Sequence, residues 1–219
     1  MSLFDKKRSV AALSDRAIDS IKNELDSMLG VAASFDNVMQ KSDTICISLE
    51  GRMRADLLAF TLYLDGVGKG PTDLAEIKVV NKIFDIDLSH VDFQLYRKDV
   101  GNRSFEHAVP PSILMLNELG RTVQREQFRT SDGSVASQGE TSELSSMLVD
   151  GLINLYALIG SAFISADGQI RESESNDLIR YLCMMSRAVN GPDASLPEGP
   201  AQNVCQSHVR LFGKQPRLK

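Results

Sequence analysis

The residues whose types and spacing best suit chemistry are acidic, and they follow an Asp-Gly pair near the C-terminal third of the chain. Asp167, Gly168 and Glu174 stand at the fifth, sixth and twelfth places of a calcium-binding EF-hand loop. In such a loop the glycine permits a sharp turn, and the last glutamate supplies two oxygens to the ion. Glu172 adds a carboxylate within the same stretch. The spacing therefore indicates the second half of a cation-binding loop.

The first half of that loop pattern is missing. Its first and third places hold Phe163 and Ser165, and its ninth holds Arg171. Calcium takes about six to eight oxygen ligands, which this segment alone does not supply. Two interpretations therefore remain open. In the first, the carboxylates join acids from elsewhere in the fold to form one ion site. In the second, Gly168 ends a helix, and the negative charges of Glu172 and Glu174 interact favourably with the positive N-terminal end of the next helix.

Recognised catalytic motifs are missing from the sequence. His90, His107 and His208 stand apart and form neither the H-E-x-x-H motif of zinc proteases nor the His-Pro-Asp of a J-domain. The glycine-rich stretch at residues 66–71 lacks a Ser or Thr after its lysine, so it departs from a phosphate-binding loop. The G-x-S-x-G elbow of serine hydrolases does not occur. We therefore expect a protein that is not an enzyme.

Charge and cysteine content narrow the partners and the compartment. The formal net charge of −5 disfavours nucleic acid as a partner, which needs clustered cations. The dense basic run at residues 6–8 is interpreted as a solvated N-terminal turn. Cys46, Cys183 and Cys205 form no C-x-x-C pair, which favours a reduced, cytoplasmic setting over a zinc site or a disulfide framework.

The most apolar stretch, residues 144–166, is about as long as a bilayer is thick. Asp150 and Asn154 interrupt it, and a charged residue is costly in hydrocarbon. We therefore predict a buried core helix and no transmembrane segment, which leaves peripheral membrane association open.

Apolar spacing and Gly or Pro punctuation predict an all-α protein. Residues 43–49 fit both a strand and a helix, and helix is favoured because no second strand is evident. Thr72 is the predicted N-cap of one helix. Past Asn190 the sequence is rich in proline, which predicts a flexible tail over residues 190–219. The predicted helices cover residues 14–40, 43–64, 72–84, 89–98, 112–128, 142–165 and 172–189.

Two segments of the chain resemble each other. In each, an apolar helix ends in Asp-Gly, at Asp65 and at Asp167, and a turn and an acidic helix start follow. The pattern predicts one helical domain over residues 1–189, built from two loosely related helix-turn-helix halves at 14–129 and 141–189. A small polar stretch at residues 130–140 would link them.

The second of these segments resembles the TerB-like tellurite-resistance family. The shared features are an apolar helix, Ala-Asp-Gly-x-Ile and two glutamates before an amphipathic helix, over Leu155–Leu182. The start at residues 2–6 is also similar, and Leu57–Phe84 resembles the motif more loosely. There Leu64 replaces Ala, the turn has extra residues and Glu76 falls out of step. The resemblance implies an all-helical fold of two related halves.

The resemblance also implies a function. It points to a non-enzymatic bacterial stress-response module of the tellurite-resistance type, which binds a divalent cation or a partner protein through an acidic turn surface. Asp167, Glu172 and Glu174 carry over as metal ligands, together with Asp65 from the first segment. The competing interpretation is a protein-interaction scaffold whose Asp-Gly turns are structural and hold no metal. A divalent cation is the one cofactor that the resemblance suggests.

Overall fold

The computed structural model describes residues 6–40, 48–67, 73–101, 109–125 and 138–217. These residues are mostly helical, which confirms the predicted all-α bundle, and they contain one short antiparallel sheet. In chain order the elements are β1 (Lys7–Ser9), α1 (Asp15–Gln40), α2 (Leu49–Val67), α3 (Leu74–Phe84), α4 (His90–Gly101), α5 (Pro111–Arg125), α6 (Gln138–Ile164), β2 (Gln169–Arg171), α7 (Glu172–Asn190) and α8 (Pro200–Phe212).

Helix α6 lies at the centre of the bundle and packs against α1, α2, α5, α7 and α8. Its length and composition from Ser146 to Ile164 would suit a membrane span, but 61% of that stretch is buried inside the fold. Leu152, Tyr156 and Ile159 have no exposed surface. A helix that is apolar on most sides is expected at such a central position. The helices of both predicted halves contribute to one continuous core.

An aromatic cluster joins three helices at the middle of this core. The ring of Phe60 on α2 lies 5.0 Å from those of Tyr156 on α6 and Tyr181 on α7. Gly160 lets the three helices come this close. A Cβ atom there would lie 2.6 Å from Leu178 Cδ1 and 3.1 Å from Phe60 Cε1. Helices α2, α6 and α7 therefore form a tightly packed unit that positions the residues discussed below.

The segment after α7 is a packed helix, which corrects the prediction of a flexible tail. Ala201, His208 and Phe212 of α8 are buried against the bundle. Asn154 of α6 anchors the preceding loop, because its amide donates to Glu198 O and accepts from Ala201 N, both at 3.0 Å. The prolines misled the prediction. Pro200 stands at the first helical position, where a missing N–H does no harm and the ring favours the helix.

The N-terminal residues form a strand, which corrects their interpretation as a solvated turn. Strand β1 pairs antiparallel with β2, with Arg8 opposite Ile170. Beyond the strands, Val10 N donates to Gly168 O and Glu172 N donates to Lys6 O, each at 2.9 Å. We call residues 6–14 the N-terminal strap. It ties the Asp-Gly turn and the start of α7 to the rest of the molecule.

Two further predictions fall partly outside the described residues. Of the ambiguous segment at 43–49, residues 43–47 lie outside the described part of the chain, and helix α2 begins at Leu49. Asp36 of α1 caps this start, since its carboxylate accepts from Leu49 N at 2.7 Å and from Glu50 N at 3.0 Å. Most of the predicted linker also lies outside the described residues, at 130–137. Its last three residues, 138–140, belong to α6.

Candidate functional site

Helix α3 begins with a reciprocal capping box. The Asp73 carboxylate accepts from Ala75 N at 2.8 Å, and Glu76 Oε2 accepts from Asp73 N at 2.8 Å. These bonds satisfy backbone donors that the first turn of a helix leaves without partners. The N-cap is therefore Asp73. The predicted cap, Thr72, lies outside the described residues.

Helix α7 begins with a glutamate in the equivalent position. Glu174 Oε2 accepts from Arg171 N at 3.1 Å, as Glu76 does for the residue three places before it. Glu174 Oε1 also lies 3.5 Å from the Arg171 guanidinium Nε. The arginine at the ninth place of the loop pattern therefore neutralises the glutamate that would have been the bidentate ligand of an EF-hand.

The two helix starts bring several carboxylates together beside the end of α2. The pKa of Glu76 is raised from 4.5 to about 7, mainly by burial and also by the negative charges of Asp65, Glu174 and Asp73, against the effect of the hydrogen bond from Asp73 N. Asp65 lies in the last turn of α2 and is only 6% exposed. We call Asp65, Asp73, Glu76 and Glu174 the acidic pole. A group with so strongly shifted a pKa is a candidate for function.

The other two predicted metal ligands face different surroundings. Asp167 is exposed in the turn before β2, and its Oδ1 accepts from Gln169 N at 2.8 Å. Glu172 forms an ion pair with Lys214, beyond the end of α8. Of the four predicted ligands, only Asp65 and Glu174 contribute to the acidic pole.

The two Asp-Gly pairs are not equivalent in the structure. Helix α2 continues to Val67, so Asp65 lies within its last turn, whereas the prediction ended this helix at residue 64. Helix α6 ends at Ile164, and Gly168 adopts a left-handed conformation with φ of 75°. Glycine accommodates that conformation without steric cost. The relation between the two segments is clearer at the helix starts, where Glu76 and Glu174 occupy the same position.

The acidic pole has the ligand type that a metal site needs, but its carboxylates are not arranged to hold an ion. Carboxylate oxygens are the ligands that calcium and magnesium prefer. Among the residues that the structure describes, however, no group of three His, Cys, Asp or Glu side chains lies close enough together to hold an ion. Glu76 and Glu174 each use one oxygen to cap a helix. Ion binding would therefore need these carboxylates to change their orientation.

Glu76 is the residue that the sequence analysis missed. Counting from the Asp-Gly pair places it out of step with Glu174, because the first turn has extra residues. When positions are counted from the first residue of each helix instead, Glu76 and Glu174 both stand at the third helical position. The Asp73-x-x-Glu76 capping-box pattern was the available signal.

Comparisons with known proteins add no assignment to this geometry. No family model, curated protein or solved structure matches the chain.

Proposed function

We propose that the protein is a non-enzymatic, TerB-like module of a bacterial, cytoplasmic stress response of the tellurite-resistance type, which binds a divalent cation at the acidic pole. The observation that carries the proposal is the state of Glu76, a partly buried carboxyl group whose pKa is raised to about 7 beside three other acids. Without a cation, a proton on Glu76 relieves the repulsion between the carboxylates of the acidic pole. A cation bound there would relieve the same repulsion.

The proposal predicts that a cation stabilises the folded protein. An ion that binds only the folded state adds about 2.7 kcal/mol at a hundredfold excess over its dissociation constant. Thermal melts with calcium, magnesium, manganese and zinc should reveal at least one ion that raises the melting temperature. Glu76→Gln combined with Glu174→Gln should abolish the rise.

Asp167→Asn is the matched control, because it removes a carboxylate charge from the adjacent turn and not from the acidic pole. The control should keep the ion response of the wild type. A wild-type transition that no ion moves would rule out the cation. A response lost in Asp167→Asn but kept in the double variant would place the ion at the turn instead.

A second candidate function is a protein-interaction scaffold without metal. Helix α4 favours it, because Val91 and Leu95 lie one turn apart and are 65% and 60% exposed. Apolar side chains exposed side by side on a helix suit contact with a protein partner. On this interpretation Glu76 and Glu174 only cap helices. No ion would then affect the melting temperature of the wild type or of the double variant.

A further inference from the structure

A cavity of about 370 Å³ lies between the N-terminal strap, α6 and α8. Its volume is within the usual range for small-molecule sites, about 300–1,000 Å³. Apolar side chains from all three elements dominate its walls. The principal ones are Val10, Leu158, Ile164, Val204 and Leu211.

A second cavity of about 400 Å³ continues the first across the face of α6. Leu158, Ser161 and Ser165 line both cavities. The second then extends to α1, where Ile21 and Glu24 contribute to its wall. Both lie along the same stretch of α6 beside the strap, and we call the two together the strap groove.

Several of the polar groups in the walls of the strap groove bond to the protein itself. Ser165 Oγ donates to Ser161 O at 2.7 Å, within the same helix. Ser175 Oγ and His208 Nδ1 lie 2.8 Å apart and are both buried. Hydroxyl groups bonded to their own helix add little polarity to a surface. The groove therefore presents a mainly apolar path.

Two arginines mark one end of this path. Arg8 Nε donates to Leu211 O at 3.0 Å, and an Arg210 guanidinium nitrogen lies 3.4 Å from Ser207 Oγ. Both acceptor residues line the first cavity. The two arginines are exposed, and within the described part of the chain neither forms an ion pair with an acid. At the other end of the groove the charge is negative, at Glu24.

We propose that the strap groove binds a single-chain anionic amphiphile, with its carboxylate or phosphate between Arg8 and Arg210 and its alkyl chain along α6 towards α1. The charge difference between the ends sets the direction of the ligand. Arginine binds both anion types through paired N–H donors. The alkyl chain is stabilised by burial against the apolar walls. This site is separate from the acidic pole and does not depend on the function proposed for it.

The first test compares ligands that differ only in the head group. Calorimetric titration of the full chain, below the concentrations at which the ligands form micelles, uses decanoate, decyl phosphate and decan-1-ol. At least one anion should bind with one molecule per chain. The alcohol should bind about tenfold more weakly, which is the effect of roughly one charge-assisted hydrogen bond. The stronger of the two anions identifies the head group as carboxylate or phosphate.

The second test alters the groove. Ser161→Trp on α6 and Val204→Trp on α8 should each fill it and abolish binding, and two variants on different helices allow for one that fails to fold. Circular dichroism and melting temperature check the fold of both. Arg8→Gln combined with Arg210→Gln should weaken binding of the anion about tenfold and leave that of decan-1-ol unchanged. Arg187→Gln, an exposed arginine on the last turn of α7, is the matched control and should bind as the wild type does.

Three results would overturn the proposal. One is that neither anion binds the wild type. Another is that a well-folded groove-filling variant binds as the wild type does. The last is that the double arginine variant weakens anion and alcohol equally. If the protein binds neither free decanoate nor free decyl phosphate but sediments with phosphatidylglycerol vesicles, the surface is a membrane-binding surface and not a site for a single amphiphile.

Discussion

At the scale of single residues, Glu76 has the most consequential environment in the described structure. It caps α3 and is partly buried, and it shares the acidic pole with Asp65 and Glu174. Burial disfavours the charged form of a carboxyl group, and neighbouring negative charges add to that effect. The folded protein therefore binds a proton at this position more tightly than the unfolded chain does.

This environment predicts how stability depends on pH. Because the folded-state pKa of Glu76 is about 7 and its usual value is 4.5, this group destabilises the fold progressively as pH rises from about 4.5 to 7. The difference corresponds to at most about 3 kcal/mol, less what solvent screening removes. Glu76→Gln should therefore gain stability relative to the wild type at pH 7.5 and show little gain at pH 4.5.

Denaturant unfolding at both pH values measures this difference. Comparing variant with wild type cancels contributions from other groups, including His208, whose pKa is lowered mainly by burial. Glu198→Gln, in an exposed loop, is the control and should follow the wild type at each pH. A Glu76→Gln variant whose stability stayed parallel to that of the wild type across this range would contradict the raised pKa.

Sequence reasoning had mixed success with these residues, for a physical reason. Asp65 and Asp167 have the same Asp-Gly context, yet one is buried inside α2 and the other is exposed in a turn. The local sequence determines where a turn can form, but the burial of a side chain depends on how helices that are distant in the sequence pack together. The capping role of Glu76 could be predicted, because a capping box is local. Its neighbours Asp65 and Glu174 come from two other helices, α2 and α7, and could not be predicted.

At the scale of elements, the contact between α2, α6 and α7 depends on Gly160. Gly160→Ala would place a methyl group against Leu178 and Phe60. Overpacking of this kind usually costs about 1–3 kcal/mol. Gly30 in α1 provides a matched control, because a Cβ atom there would meet nothing within 4 Å. Gly30→Ala should stabilise the protein by up to about 1 kcal/mol, since alanine favours a helix over glycine.

Thermal and denaturant unfolding of the two variants should therefore give changes of opposite sign. If Gly160→Ala were as stable as the wild type, Leu178 would have room to move away. The close approach of the helices would then not depend on glycine.

The helices themselves were largely predictable, and the strands were not. Helix α1 was expected at 14–40 and lies at Asp15–Gln40, because its apolar residues repeat with the helical period. Strands β1 and β2 have three residues each and pair across most of the chain. So short a strand has no period to detect, and its partner is set by tertiary packing.

At the scale of the whole molecule, the N-terminal strap links the beginning of the chain to α7 and α8. Val10→Pro would remove the donor of the bond to Gly168 O. Losing one intramolecular hydrogen bond costs about 0.5–1.5 kcal/mol. We therefore expect a lower melting temperature for this variant.

Ser9→Pro is the control for the strap. Bonded and non-bonded positions alternate along an antiparallel pair. The bonds of Val10 to Gly168 and of Glu172 to Lys6 place Ser9 at a non-bonded position. Its substitution removes no bond of the ladder and should have the smaller effect in the same melting experiment. Equal effects would mean that proline disturbs the strap through its ring and not through the lost hydrogen bond.

The pairing of the strap also fixes an order of events during synthesis. Roughly 160 residues separate Ser9 from its partner Gln169. At about 5–20 residues per second a ribosome needs on the order of ten to thirty seconds to add them. Through that interval strand β1 has no partner strand to join. Most of the bundle must therefore be synthesised before the N-terminal strap can take its final place.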